Sequence, residues 1–290
     1  MSEPAVSIIV PCYNGGRFLD GLCDSLAAQT FRDFETIVVD DGSTEEATLE
    51  KLASLDPGIR VVPQQNRRLP GARNAGFGQT RGEFVLPLDC DDRLDPSFLA
   101  ETVAALRRAP REVGFAFAHV RLVGELDGVM PRHFNRFDQL FLNRLPYCML
   151  IRRSALQAAG GYDEAMSDGM EDWEFSIRLL QAGFSGAEIA KPLLIYRVSG
   201  EGMLMSRTAR QHGTIWRYIR NKHRDLYRLA ALLAAWRANR TTGEIAPLKA
   251  VTLLGLAKLL PERWFNGLFY RLLIATRARR IGRGEYQPFA

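Results

Sequence analysis

The sequence predicts an α/β fold, a mostly parallel sheet flanked by helices, followed by a C-terminal helical extension. Three observations carry this. Short β-branched runs alternate with helical patterns through the first 120 residues, which implies parallel strands covered on both faces. Three of those strands end in polar residues, Tyr13-Asn14, Asp40-Asp41 and the aspartates of 89–92, and in such sheets ligands bind outside the carboxyl ends of the strands. Charge divides as well. Residues 207–290 hold 17 Lys and Arg against 4 Asp and Glu, a net +13, and the preceding chain is net −8. An acidic body at 1–206 and a basic helical extension at 207–290 follow as two units.

Each element has its own signal. "VSIIV" at 6–10 reads as a buried strand that runs into a "YNGG" turn. Residues 17–29 carry Phe18, Leu19, Leu22 and Leu26 at helical spacing. "FETIVV" at 34–39 is a second strand ending in "DDGS". Residues 45–55 are helical, with Thr44 as the expected N-cap. "IRVVPQ" at 59–64 is a third strand, "GARNAGFGQT" at 71–80 begins a helix, and 83–88 is a fourth strand. A helix at 97–108, a strand at 113–120 and a short helix at 154–160 follow. "EDWEFSIRLLQA" at 171–182 is an amphipathic helix stopped by Gly183. The 121–150 region is irregular. Residues 207–240 and 247–280 read as helices.

Several classes are disfavoured. The apolar run after Ser2-Glu3-Pro4 is cut off by Pro11, unlike a signal peptide. No apolar stretch reaches the ~18 residues of a membrane span; the longest, 245–260, is interrupted by Lys249 and Lys258. Cys12, Cys23, Cys90 and Cys148 form no CxxC pair and have no His at ligand spacing, so buried reduced thiols in a cytosolic protein are expected.

"VLPLDCDD" sets three carboxylates, Asp89, Asp91 and Asp92, within four residues. They repel one another unless something positive sits among them. Mg²⁺ or Mn²⁺ takes oxygen ligands, commonly one or two carboxylates plus substrate phosphates. The same residues would also suit a solvated acidic turn. Likewise Asp40-Asp41 before Gly42 is a strong turn signal, and Glu171-Asp172 in a first helical turn complements the helix dipole.

Taken together, "VSIIVPCYNGGRFLDGLCDSLAAQTFRDFETIVVDDGSTEEA", "ARNAGFGQTRGEFVLPLDCDD" and "GGYDEAMSDGMEDWEFSIRLLQAGF" resemble the family-2 glycosyltransferases over about residues 5–206. The resemblance implies a GT-A, Rossmann-like fold and inverting transfer of a sugar from a nucleotide diphosphate to an acceptor hydroxyl. It implies that Pro11 and Tyr13 line the base pocket, beside Asn14, with Tyr13 stacked on the base. Asp41 would accept from uracil N3–H, and Arg73 and Asn74 would lie near the ribose and diphosphate. Asp91 would contact Mn²⁺ or Mg²⁺, with Asp89 at the metal or the ribose. Asp172 would be the catalytic base. These residue types suit the chemistry. The attacking hydroxyl must lose a proton, which a carboxylate assists, and the leaving diphosphate gathers negative charge, which a cation neutralises.

The sequence departs from the family in one place. Many relatives carry a His after a "YR" pair that can join the metal; here "IYRVSGEGMLMS" has Ser199 in that region. His212 lies farther on and reads as a helix surface residue, and Trp173 suits either the core or an acceptor floor. The absence of a Gln-x-x-Arg-Trp motif argues against a processive polysaccharide synthase.

In "PERWFNGLFYRLLIATRARR", 261–280, an apolar face of Trp264, Phe265, Leu268, Phe269, Leu272 and Leu273 is set apart from Arg263, Arg271, Arg277, Arg279 and Arg280. This is the pattern of an in-plane membrane helix. It suits an anionic membrane surface, the inner face of the cell membrane, and a glycan or lipid-linked acceptor. The alternative is packing against the catalytic domain or a second copy, giving a homodimer. Nucleotidyl transfer is another reading, but "PCYNGGRF" is a poor phosphate loop. Nucleic-acid binding is disfavoured because the aromatics segregate to one apolar face instead of interleaving with the basic residues.

Overall fold

The computed structural model describes residues 3–167, 169–199, 208–239, 243 and 245–269. Strands β1 (Val6–Cys12), β2 (Phe34–Asp40), β3 (Ile59–Pro63) and β4 (Phe84–Pro87) pair in parallel in the order β3-β2-β1-β4. β1 lies inside this group, and all seven of its residues are buried. Its alternating side chains feed two cores. Val6, Ile8 and Val10 join one layer, and Ile9 joins the other with Ile37, Val39 and Phe115. A strand buried on both faces has no polar face to show, as the unbroken "VSIIV" implies.

The crossovers are helical. A 3₁₀ turn (Gly16–Phe18) leads into α1 (Leu19–Ala27); α2 (Glu46–Ala53) and α3 (Arg68–Gln79) follow β2 and β3. α3 packs closely on β1 because residue 76 is glycine; a Cβ there would lie 2.2 Å from Ile9 Cγ2. Thr44 is not the cap of α2. The N-cap is Glu45, whose side chain makes no capping bond. Asn14 Oδ1 instead accepts from the N–H groups of Thr44 and Glu45 at 2.8 and 3.1 Å. The cap of α2 is therefore supplied from the end of β1, 30 residues away, which no local pattern reveals.

Beyond β4 the sheet becomes mixed. β5 (Arg93–Leu94), α4 (Phe98–Arg108), β6 (Val113–Gly124), β7 (Gly128–Met130), α5 (Arg136–Gln139), β8 (Leu150–Arg152), α6 (Arg153–Ala159), α7 (Glu171–Gln181) and β9 (Ser185–Val198) follow in the chain. The sheet order is β3-β2-β1-β4-β8-β6-β9-β5, with β7 on β6. The long β6–β9 ladder is parallel, and the two- and three-residue strands β5, β7 and β8 pair antiparallel. β9 is 14 residues long, yet the sequence gives it no clean signal, because Lys191 and Pro192 interrupt its apolar residues.

The C-terminal part differs from two long helices. It forms α8 (Thr208–Lys222), a 3₁₀ turn (Arg224–Tyr227), α9 (Leu229–Asn239), α10 (Pro247–Leu259) and α11 (Glu262–Phe269). Leu260 is extended, with ψ 141°, because Pro261 disfavours the helical region for the residue before it. The expected boundary near 206, and Arg271, Leu272, Leu273, Arg277, Arg279 and Arg280, lie outside the described residues. The basic helices are not set apart from the body. Trp216, Ile219, Tyr227, Leu253, Phe265 and Phe269 share one core with Phe137, Phe141, Trp173 and Ile177. Trp216 Nε1 and Tyr227 Oη both donate to the Leu140 carbonyl, at 2.9 and 2.6 Å.

Two readings are corrected by this packing. His212 is buried, 5.1 Å from the Trp173 ring and 5.8 Å from Phe269, and is not a surface residue. Phe265 and Phe269 turn inward, so the face grouped with Trp264 divides; Trp264 itself is 64% exposed.

A buried charge cluster ties α7 to α8. Glu174 accepts from Arg178 at 3.0 Å and lies 2.8 Å from both Lys222 Nζ and His223 Nε2. Burial alone would raise its pKa, but hydrogen bonds from His223 and Arg178 and the Arg178 charge outweigh that and bring it down to about 2. A carboxyl depressed in the folded state binds protons better when unfolded. Its contribution is therefore complete above about pH 4.5 and disappears as pH falls towards 2. Glu174→Gln is expected to cost about 3 kcal/mol in urea unfolding at pH 7, with a smaller difference from wild type at pH 3.

Candidate active site

Three strand ends build one edge. After β1, Tyr13 stands 52% exposed, a free aromatic face. Asn14 follows with φ 51°, a left-handed conformation that Asn tolerates better than most residues. Its amide is engaged with Thr44 and Glu45, and its N–H donates to Ser43 Oγ at 3.0 Å. Asn14 thus shapes the loop beside Tyr13. Pro11 is buried within β1.

After β2 the two aspartates divide the work. Asp40 Oδ1 accepts from Ser43 N–H at 2.9 Å and closes the turn. Asp41 Oδ1 accepts from Gln64 Nε2 at 2.6 Å and Arg67 N–H at 2.8 Å. No hydrogen bond reaches Asp41 Oδ2 among the described residues, so one acceptor remains for an outside donor.

After β4 the carboxylates again differ. Asp92 is 1% exposed and fully engaged: Tyr147 Oη donates to Oδ2, and Arg197 N–H donates to Oδ1 at 2.8 Å. The Tyr147 hydroxyl also accepts from Asp89 N–H at 3.1 Å. Asp92 is therefore a brace between the 89–92 turn and the end of β9. Asp89 Oδ1 accepts from Arg73 Nη2 at 2.7 Å. Asp91 is pushed up to about pKa 6 by burial and by Asp89, against the charges of Arg197 and Arg17.

Arg73 and Asn74 are both engaged by the surrounding fold, although Asn74 also lines a surface cavity with Phe77, Arg153 and Gly161. Arg73 is 1% exposed. Its guanidinium lies 5.0 and 5.2 Å from the ring centres of Tyr147 and Tyr162, and it bonds Asp89 on one side and Glu171 Oε1, at 2.5 Å, on the other. Asn74 grips the backbone of Tyr162, accepting from its N–H at 2.6 Å and donating to its C=O at 2.9 Å. These bonds brace the fold around the site.

α7 begins from Met170, whose φ of 64° is unusual for a residue with a side chain. Strain of this kind collects where surrounding structure enforces a functional geometry. Glu171 is buried and rises to about pKa 7, through burial and against the pull of Arg73, with Asp172 adding to the rise. Asp172 is half-buried; Oδ2 accepts from Asn143 Nδ2 at 2.9 Å and Oδ1 from Trp173 N–H at 2.8 Å. Burial raises its pKa against the Asn143 bond. Trp173 is core, with Nε1 donating to the Gln139 carbonyl at 2.6 Å.

The partly buried Tyr196 lies beside the site, its ring 6.4 Å from that of Tyr147. Burial raises its pKa, and the charges of Asp92, Asp89, Asp91 and Asp172 raise it further. Sequence reasoning missed Glu171 and Asn143 as supports and Tyr147 as a brace. It also passed over Arg17 and Arg197, whose guanidinium carbons lie 4.8 and 4.6 Å from the centre of the Phe18 ring. Only the "YR" pair carried a hint of Arg197.

Among the described residues no three His, Cys, Asp or Glu side chains are placed to hold a metal. Two carboxylates suffice where substrate phosphates complete the shell. Asp91, partly exposed, and Asp89 Oδ2, unbonded among the described residues, fit that incomplete set; Asp92 does not.

Comparison with known proteins agrees with this architecture. Residues 7–160, more than half the chain, match the family described as Glycosyl transferase family 2. The chain belongs to that family. It is 28% identical over 198 residues to an uncharacterized glycosyltransferase of Haemophilus influenzae, covering 65% of this chain and 66% of that one. EpsH of Bacillus subtilis, also described as a glycosyltransferase, is 36% identical over 100 residues, covering 34% of this chain. The chain spans only 29% of the length of EpsH. S. aureus TarS with UDP-GlcNAc superposes with a TM-score of 0.67 at 20% identity, covering 98% of this chain and 93% of that one. The mannosyltransferase PcManGT of Pyrobaculum calidifontis, with GDP-Man and Mn²⁺, gives 0.59 at 19% identity over 95% and 87% of the two chains. These two likenesses establish the GT-A fold.

Proposed function

We propose that this chain is an inverting, metal-dependent glycosyltransferase. It moves a sugar from a nucleoside diphosphate, UDP foremost, to a hydroxyl of a glycan or lipid-linked acceptor. The observation that carries the reading is the Asp89–Arg73–Glu171 bridge, which locks the acidic strand end to the helix bearing Asp172. Tyr13 offers its exposed ring to the base, and Asp41 Oδ2 accepts from a base N–H such as uracil N3–H. Arg17 and Arg197 bring positive charge beside Asp91, where a diphosphate would lie. Asp91 and Asp89 would hold Mn²⁺ or Mg²⁺, which neutralises the diphosphate as it leaves. Asp172 takes the proton of the acceptor hydroxyl, its carboxylate oriented by Asn143 and made more basic by burial. Membership of the family favours this over nucleotidyl transfer or nucleic-acid binding.

Calorimetric titration of UDP, dTDP, GDP and CDP, each with Mn²⁺ and with EDTA, tests the donor half. The expected result is metal-dependent binding of UDP or dTDP, weakened by about tenfold or more in Asp91→Asn. Silence with every nucleotide would overturn the reading.

No helix among the described residues is long and apolar enough to cross a membrane. We extend the proposal to peripheral attachment at the inner face of the cell membrane. Its support is the exposed Leu248, Val251, Leu259 and Trp264, set among basic residues. Flotation with anionic vesicles should fall when Leu259 and Trp264 become Asn together. Unchanged flotation of that variant would remove this face from consideration, and a self-association lost in it would favour a homodimer.

A further inference from the structure

The residue between Asp89 and Asp91 is a cysteine, and it has a partner. β1 and β4 pair in parallel from Val6↔Phe84 to Ile9↔Pro87, and Leu88 N–H still reaches the Ile9 carbonyl at 2.9 Å. The same register carried three residues on sets Cys12 beside Cys90. The backbone of Gly15 closes over both sulfurs. A Cβ there would lie 2.6 Å from Cys90 Sγ and 3.5 Å from Cys12 Sγ, so glycine is what lets both thiols occupy this spot. Cys12 is buried, and Cys90 is partly open to solvent. Neighbouring strands lie about 4.8 Å apart, close to the Cα separations that a disulfide spans.

We propose that Cys12 and Cys90 are an oxidisable thiol pair, closed to a disulfide by a peroxide, and that closure disables the Asp89 and Asp91 turn. The peroxide transfers one oxygen to the sulfur of Cys90, the more exposed residue of the pair, giving a sulfenic acid and one water. The Cys12 sulfur then attacks the Cys90 sulfur and forms the S–S bond; the departing hydroxyl takes the Cys12 proton and leaves as a second water. Two electrons pass from the thiols to the peroxide O–O bond. An S–S bond of about 2 Å is far shorter than a thiol–thiol contact. Closure therefore draws Cys90 towards β1 and carries Asp89 and Asp91 with it, away from the positions that Arg73 and the strand end give them. Tyr13, next to Cys12, is disturbed at the same time.

The functional half of this proposal rests on the glycosyltransferase reading; the chemical half does not. The test uses the full chain, reduced and then treated with stoichiometric hydrogen peroxide. Thiol titration, peptide mapping without reductant, and UDP calorimetry with Mn²⁺ are run before oxidation, after it, and after dithiothreitol. We expect the loss of two thiols, a cross-linked peptide joining Cys12 to Cys90, and a fall in UDP affinity of about tenfold or more that dithiothreitol reverses. Cys90→Ser and Cys12→Ser should each give no such peptide. Thiols that survive in the wild type, a sulfinic acid at Cys90 without a cross-link, or a different pairing would overturn the proposal. A cross-link with unchanged affinity would overturn its functional half. If the reduced protein binds no nucleotide at all, the glycosyltransferase reading falls and takes that half with it, while the cross-linked peptide still decides whether the pair exists.

Discussion

Asp172→Asn should keep nucleotide affinity within about twofold and lose roughly 10²–10⁴ in turnover, the usual size of a general-base contribution. The substitution is nearly isosteric. It keeps an oxygen to accept from Asn143 Nδ2 or from Trp173 N–H, now 2.9 and 2.8 Å from the carboxylate, so the first turn of α7 should stay in place. What it removes is the charge that accepts a proton. Burial already raises the pKa of Asp172, which makes the carboxylate a stronger base. Asn143→Ala should act in the same direction but less strongly, because it loosens the carboxylate without removing it. Single-turnover kinetics separates the outcomes. A loss confined to the chemical step supports the assignment, and unchanged turnover in Asp172→Asn would mean that the acceptor proton leaves by another route.

The second large effect belongs to Arg73. Arg73→Met keeps much of the side chain's volume between the Tyr147 and Tyr162 rings but removes the only cation bonded to both Asp89 and Glu171 among the described residues. Breaking a buried pair by removing one partner costs about 3–5 kcal/mol; here the buried Glu171 and the partly buried Asp89 lose their partner together. Urea unfolding at pH 8 should show a loss of that order. The pH dependence has a definite sign. Glu171 already sits near pKa 7, above its ordinary value. A carboxyl raised in the folded state binds protons more tightly there, so its effect on stability worsens as pH rises through the interval between the two pKa values. Without Arg73, whose charge holds it down, the Glu171 carboxyl should rise further. The deficit of Arg73→Met should therefore narrow between pH 8 and pH 5. A deficit independent of pH would assign Arg73 a packing role alone. Arg73→Lys should recover little, since a point charge does not reach both carboxylates as a planar guanidinium does.

These two sites mark the limit of what was legible beforehand. The strand ends were legible, because an unbroken β-branched run that stops at Tyr13-Asn14 or Asp40-Asp41 carries its own period and its own terminator. The helix that carries Asp172, Glu171–Gln181, was readable from the amphipathic pattern around it. The duties of Arg73, Asn74 and Asn14 were not. Each is a polar residue near a strand end, and nothing local distinguishes a side chain that meets a ligand from one that braces the walls. Arg73 meets Glu171 98 positions away, and Asn74 meets Tyr162 88 positions away. Their partners exist only once the sheet and α7 are packed. The same holds for Asp92, which looks like its neighbours in "DCDD" but is withdrawn by Tyr147 and Arg197.

The C-terminal helices make the same point through packing. Their amphipathic character is local and was evident. Which surface covers each face depends on what else is apolar nearby. Phe137, Phe141 and Trp173 present an aromatic surface that takes Phe265 and Phe269, and Trp264, on the same helix, stays outside. By itself, then, the sequence determined the alternation of strands and helices, the acidic strand ends and the segregation of charge, because these follow from side-chain period, turn chemistry and composition over a few residues. The tertiary structure alone decided which carboxylates are free, which arginines are consumed, where the two thiols meet and which helix faces are covered. Burial and hydrogen bonding between distant segments set a group's charge and availability, and a one-dimensional pattern does not contain those distances.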